Sequence, residues 1–234
     1  MNNERYVQEN KKKWAREVVK GQLIYPDENV VRFLATRRKG NYQNKVVLDF
    51  GCGAGRHSVA MLNMGYKVIG MDYNKECLNL TEERVKELFK GNSSKEKFMA
   101  LQNSGVTLEL EDASLDYIVA WGSLFYNGRE IFKEMLHEMN RVLKKEGEIF
   151  FDFRTQKDDL YGKGEELEKD FFRLDEESGY GGFTYLILPF DELKEIVEEC
   201  GFQVTNVESY EFTKNNGKKL NSWYHITAKK VLQI

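Results

Sequence analysis

The segment Val46-Val47-Leu48-Asp49-Phe50-Gly51-Cys52-Gly53-Ala54-Gly55 constrains this chain more than any other. A β-branched run ends, three glycines alternate, and a helical pattern begins at Arg56. Glycine adopts positive φ without strain and lets the backbone approach a ligand with no Cβ in between. A second strand-like run, YKVIGMD at 66–72, ends in Asp72, 19 residues after Gly53. A carboxylate at that strand tip can accept from the two hydroxyls of a ribose. Alone, a glycine triplet often only shapes a tight turn, and an acid at a strand end is often solvated. Strand, glycine loop, helix, strand and acid in this order form a far more specific pattern.

Two ligands compete for that pattern. A dinucleotide fingerprint wants its third glycine one residue later, where helix and strand pack closest, and that position is Arg56. Asp49, just before the loop, would sit badly near a pyrophosphate. It could instead anchor loop amides or the amino group of a methionine moiety. Both features favour S-adenosylmethionine over NAD.

The flanking pattern alternates strands and helices. Helices are expected at 56–65, 77–91 and 131–147, each closed by glycine, and strands at 45–50, 97–102, 115–121 and 148–154. In the 131–147 helix Ile131, Met135, Met139 and Val142 form the apolar stripe, with Lys144 and Lys145 in the last turn. Short apolar strands between helices predict an α/β fold with a parallel sheet covered by helices on both faces. Residues 1–44 read as an N-terminal helical cap, with Trp14, Val18 and Val19 on one helix and Val30, Val31, Phe33 and Leu34 on another. The remainder, 45–234, reads as one ligand-binding domain. Within it, 155–188 is an excursion rich in charge, glycine and aromatics, without periodicity. A helix at 189–201 follows, then two alternating runs, 202–212 and 221–230, whose Asn216-Gly217 link suits a hairpin.

Composition narrows the partners. A net charge of −3 gives no general pull toward nucleic acid, so a nucleic-acid partner is disfavoured. Cys52, Cys77 and Cys200 have no paired or metal-like spacing, and neither a metal nor a disulfide framework is expected. The polar N-terminal residues carry no signal core, and nowhere do about 18 apolar residues run together, so no membrane partner and a cytoplasmic location are expected. A homodimer stays open.

The runs VVLDFGCGAG, VIGMD, LELEDASLDYIVAW and EMNRVLKKEGEIFF resemble the class I S-adenosylmethionine-dependent methyltransferases, within their broad small-molecule group. The likeness covers about 45–154, with the terminal helix and hairpin matching the family's last two strands. It implies a Rossmann-like seven-stranded sheet, mostly parallel with an antiparallel last strand, and S-adenosylmethionine as cofactor with S-adenosylhomocysteine as product. It implies further that Asp49, Gly51, Cys52, Gly53 and Gly55 form the cofactor loop, Asp72 holds the ribose, and Tyr73 packs on adenine. Ala120, Trp121 and Gly122 would border the methionine end. At the end of strand three the chain departs from the family: Gln102-Asn103-Ser104-Gly105 stands where an aspartate is common, leaving Asn103 and Ser104 to read adenine.

Methyl transfer from a sulfonium requires alignment and exclusion of water, and requires a base only for a proton that must leave. No catalytic residue announces itself; His57, Tyr126 and Arg154 are the candidates. Aromatic-rich segments outside the cofactor core are the expected acceptor wall: Trp14, Tyr25, Phe125, Tyr126, Arg154, Tyr161, Tyr180, Phe183 and Tyr185. Amino-methylating enzymes of nucleic-acid bases carry an Asn/Asp-Pro-Pro-aromatic tetrapeptide where this chain has Ala120-Trp121-Gly122-Ser123, and neither Pro26 nor Pro189 precedes a cysteine as carbon-5 cytosine enzymes require. A small-molecule O or N acceptor is therefore expected. Protein or transfer-RNA acceptors, and a non-catalytic cofactor sensor, stay as alternatives.

Overall fold

The computed structural model describes residues 3–21, 23–89, 96–103 and 106–231. Ser104, one of the expected adenine contacts, lies outside the described residues. Five strands run parallel: β1 (Val46–Phe50), β2 (Lys67–Asp72), β3 (Phe98–Gln102), β4 (Leu115–Ala120) and β5 (Leu143–Arg154). The chain ends in a hairpin of β9 (Phe202–Lys214) and β10 (Lys219–Lys230), and the sheet order is β3-β2-β1-β4-β5-β10-β9. The last strand, β10, lies antiparallel between β5 and β9. The turn places Asn215, Asn216 and Gly217 at positive φ, the backbone that Asn and Gly tolerate best.

Adjacent strand residues face opposite sides of a sheet, and the core divides accordingly. Val47, Val119 and Phe150 pack against α2 (Glu28–Ala35), α3 (Arg56–Asn63) and α4 (Lys75–Phe89). Leu48, Ile118 and Phe151 pack against α5 (Arg129–Val142) and α6 (Phe190–Glu199). Helix α1 (Asn3–Gly21) touches α4 on one side and the short strand Thr184–Leu186 on the other, across the sheet's C-terminal edge.

Two expectations need correction. The helix expected to reach Gly147 ends at Val142, and Leu143 turns into strand with ψ 138°. Lys144 and Lys145 are strand residues. The buried Asp116 carboxylate draws Lys144 Nζ to 2.8 Å and Lys45 Nζ to 2.7 Å, while the amides of Ala113 and Ser114 take the last helical carbonyls. The excursion is also more ordered than its sequence suggests. It forms a separate antiparallel sheet of β6 (Glu165–Glu168), β7 (Phe171–Arg173) and β8 (Thr184–Leu186). Among the described residues no helix is long and apolar enough to cross a membrane.

Candidate active site

The glycine loop after β1 is tied to the end of β2. Gly51 and Cys52 both donate to the Met71 carbonyl, at 2.8 and 2.9 Å. Gly53 donates to Asp72 Oδ2 at 2.9 Å, and Asn74 donates to Asp72 Oδ1 at 2.9 Å. Each carboxylate oxygen keeps a further lone pair, enough for two adjacent hydroxyl donors. Asp72 lines a cavity and is largely buried, which raises its pKa above the usual carboxylate value. Gly51 has φ +73°, and a Cβ there would meet Ser123 Cβ at 2.7 Å. Gly55 has φ +81°, with Thr81 Cγ2 2.6 Å from the Cβ it lacks. The loop's curvature therefore leaves no room for side chains at either position.

The cavity measures about 330 Å³ and crosses the C-terminal ends of β3, β2, β1 and β4, from Asn103 past Asp72 and Gly53 to Trp121 and Gly122. Four neighbouring strands span about 14 Å. Helix α1 roofs it with one face, Asn10, Lys11, Trp14, Val18 and Gly21, at the 3- and 4-residue spacing of a helical stripe. The roof is fastened on both sides. Tyr73 Oη donates to the Lys11 carbonyl at 2.7 Å, and Asn10 Nδ2 donates to Thr184 Oγ1 at 3.0 Å.

The structure brings many of the expected cofactor residues onto this wall: Gly51, Cys52, Gly53, Asp72 and Tyr73, then Asn103, Trp121 and Gly122. It places three elsewhere. Asp49 is buried behind the loop, where Ser58 Oγ donates to it at 2.6 Å; burial pushes its pKa up to about 6. Gly55 packs on Thr81, and Ala120 lies within the core. Of the expected acceptor residues, Trp14 and Tyr126 line the cavity, their ring centroids 5.0 Å apart. Phe183 backs Trp14, and Tyr185 hydrogen-bonds Tyr126, both from outside the wall. Phe125 is core, Tyr25 is 80% exposed, and Tyr180 and Tyr161 stay in the excursion. Arg154 is held behind the wall by Asp158 at 2.6 Å and stacks 3.9 Å from Trp223.

His57 lines the cavity, but burial pushes its pKa down to about 3, and its Nε2 accepts the Asp27 amide at 3.2 Å. Its lone pair is committed to fixing the start of α2. Burial raises the Tyr126 phenol far above its ordinary pKa. Neither group is a base at neutral pH. The sequence reading missed Asn10, Asn127 and Met135 on the wall, as well as Asp152. Asp152 is buried on β5, accepts the Gly122 amide at 2.6 Å, and is pushed up to about 7 by burial. Asp152 sits in an apolar strand run, and that isolation was its available signal.

Residues 47–147 match the family model described as a methyltransferase domain. That segment, a little under half of the chain, is similar to methyltransferase domains, and the chain as a whole has their Rossmann-like fold. A Bacillus subtilis protein named as a methyltransferase, YqeM, is 26% identical to it over 192 residues, covering 69% of this chain and 74% of that one. Among solved structures, a S-adenosylmethionine-dependent methyltransferase of Methanosarcina mazei superposes with TM-score 0.68 at 24% identity, over 82% of this chain and 96% of its own. The Burkholderia thailandensis 1,6-didemethyltoxoflavin-N1-methyltransferase, solved with 1,6-didemethyltoxoflavin and S-adenosylhomocysteine, superposes with TM-score 0.70 at 16% identity, over 99% and 91%.

Proposed function

We propose that this chain is a methyltransferase that transfers the methyl group of S-adenosylmethionine to an oxygen or nitrogen of a small-molecule acceptor by direct in-line displacement. One observation carries the reading: the cavity continues from Asp72 past the glycine loop into a roofed end walled by Trp14 and Tyr126. The residues present fit the cofactor. Asp72 offers acceptors for ribose hydroxyls, Tyr73 and Asn103 flank the adenine end, and Gly51, Gly53, Trp121 and Gly122 border the methionine end. Bound there, S-adenosylmethionine supplies a methyl group already activated by its sulfonium.

The protein's part is alignment and dryness. Helix α1 acts as a lid over residues 45–234 and excludes water, and the Asp152–Gly122 hydrogen bond sets the loop after β4. With His57 engaged by Asp27 and Tyr126 held neutral, no wall side chain serves as a strong base. The acceptor therefore attacks through a lone pair that it holds at working pH. A roofed, aromatic-walled space supports catalysis rather than cofactor sensing, and it suits a small molecule better than a folded RNA or a protein surface.

The test is incubation with methyl-tritiated S-adenosylmethionine and a cell extract split into small-molecule, RNA and protein fractions. Label is expected to accumulate in the small-molecule fraction. Label recovered only in the RNA or protein fraction would overturn the acceptor assignment.

A further inference from the structure

Among the described residues, three buried polar atoms without a partner inside the protein belong to this one cavity wall: Asn10 Oδ1, Trp14 Nε1 and Ser123 Oγ. Buried polar groups nearly always have partners, and each orphan costs on the order of 1–3 kcal/mol. Asn10 and Trp14 lie on the roof helix and Ser123 lies against Gly51 on the same wall, and together they mark where a bound molecule supplies what the protein omits.

The polarity of two of these positions is fixed. The single Thr184 hydroxyl proton goes to the Tyr126 carbonyl at 2.8 Å, so Thr184 Oγ1 can only accept from Asn10. That pins Asn10 Nδ2 toward Thr184 and leaves Oδ1, in a side chain only 3% exposed, as a lone acceptor. Trp14, one helical turn further along the same face, offers only a donor. The wall thus asks for a hydrogen-bond donor beside a hydrogen-bond acceptor.

Charge excludes the other acceptor chemistries. Asn10, Trp14, Ser123 and Tyr126 carry none, and the charged wall residues are directed elsewhere. Lys11 Nζ lies over the Tyr73 ring, Asp72 holds loop amides, Arg56 reaches toward the Tyr25 carbonyl, and Glu17 is exposed beside Lys20. Behind Tyr126, Arg154 is paired with Asp158 and Asp152 holds the Gly122 amide, so a phosphate or guanidinium buried under Trp14 would have to compete for a counter-charge already engaged.

We propose that Asn10 and Trp14 on the roof helix are the specificity residues of the acceptor subsite, and that they select a neutral, planar heteroaromatic molecule presenting a donor and an acceptor on one edge, as a lactam ring does. The rings of Trp14 and Tyr126 supply its flat contacts, and Ser123 supplies a third polar contact. This rests on the methyltransferase reading above.

The experiment is calorimetry on protein saturated with S-adenosylhomocysteine, using lumazine, 2-quinolone and isatin as neutral lactam probes, phosphoethanolamine as an anionic probe and agmatine as a cationic one. At least one lactam is expected to bind, and the charged probes are not. Trp14→Phe and Asn10→Leu should each weaken that lactam about 10-fold, the effect of one hydrogen bond lost in a dry site, while S-adenosylhomocysteine affinity changes less than about twofold. Preference for a charged probe, no binding by any lactam, or lactam affinity unchanged in both variants overturns the proposal. Failure of the unaltered protein to bind S-adenosylhomocysteine would instead count against the methyltransferase reading itself.

Discussion

Asp72 Oδ2 accepts the amide of Gly53 at 2.9 Å, so the acid at the tip of β2 and the glycine bend after β1 form one unit. The carboxylate shapes the bend while its remaining lone pairs face the cavity. Removing it should cost cofactor affinity in two ways, through the lost hydroxyl acceptor and through the slackened bend. Asp72→Ala is expected to weaken S-adenosylhomocysteine binding by about 1–3 kcal/mol in calorimetry. Unchanged affinity would remove Asp72 from the ribose role.

Tyr73 links that same strand tip to the roof through its hydroxyl on the Lys11 carbonyl. If α1 opens for cofactor exchange, this bond is among those that break. Tyr73→Phe is then expected to speed S-adenosylhomocysteine release about 3–10-fold, equivalent to one net hydrogen bond. Stopped-flow fluorescence of the indole groups measures it. An unaltered release rate would mean that α1 stays in place while the cofactor leaves.

These relationships show what the sequence could and could not reveal. Gly51, Gly53 and Asp72 were legible because positive φ and a strand-tip acid are local requirements, written in a few adjacent residues. The hairpin at Asn216-Gly217 was legible for the same reason. Where helix α5 ends was not. Lys144 and Lys145 look like helix-terminal cations, yet Asp116, 28 residues earlier, draws Lys144 into β5. Strands β6 to β8 have three or four residues each, too few for alternation to stand out. Asn10 gave no signal at all, since a polar residue in a polar helix resembles its solvated neighbours until the roof is seen to fold over.

Asp152 leads to a prediction about pH. Burial raises its pKa to about 7 in the folded protein, against roughly 4 in an unfolded chain. A raised carboxylate pKa favours folding while the group is protonated, and that advantage fades as pH climbs from about 4 through about 7. Asp49, at about 6, adds in the same direction. Asp152→Asn keeps an oxygen for the Gly122 amide and carries no charge. Urea denaturation should find it more stable than wild type at pH 8, by as much as about 4 kcal/mol for a carboxyl moved from about 4 to about 7, and nearly equal at pH 4. The same difference at both pH values would refute the buried-charge argument.

His57 separates a catalytic role from a structural one. Its Nε2 accepts the Asp27 amide, which begins helix α2, and its low pKa keeps the ring neutral across the working range. A base would lose function with any substitution that removes imidazole. A capping acceptor is replaced by any group that offers an oxygen at the same reach. His57→Gln should therefore retain stability within about 1 kcal/mol, whereas His57→Leu leaves the Asp27 amide without its partner and should cost about 1–3 kcal/mol. Thermal denaturation distinguishes the two variants. Turnover in His57→Gln should keep the wild-type pH profile, because the imidazole contributes no titrating limb between pH 5 and 9. Loss of such a limb would restore His57 as the base and displace the reading in which alignment under α1 does most of the work.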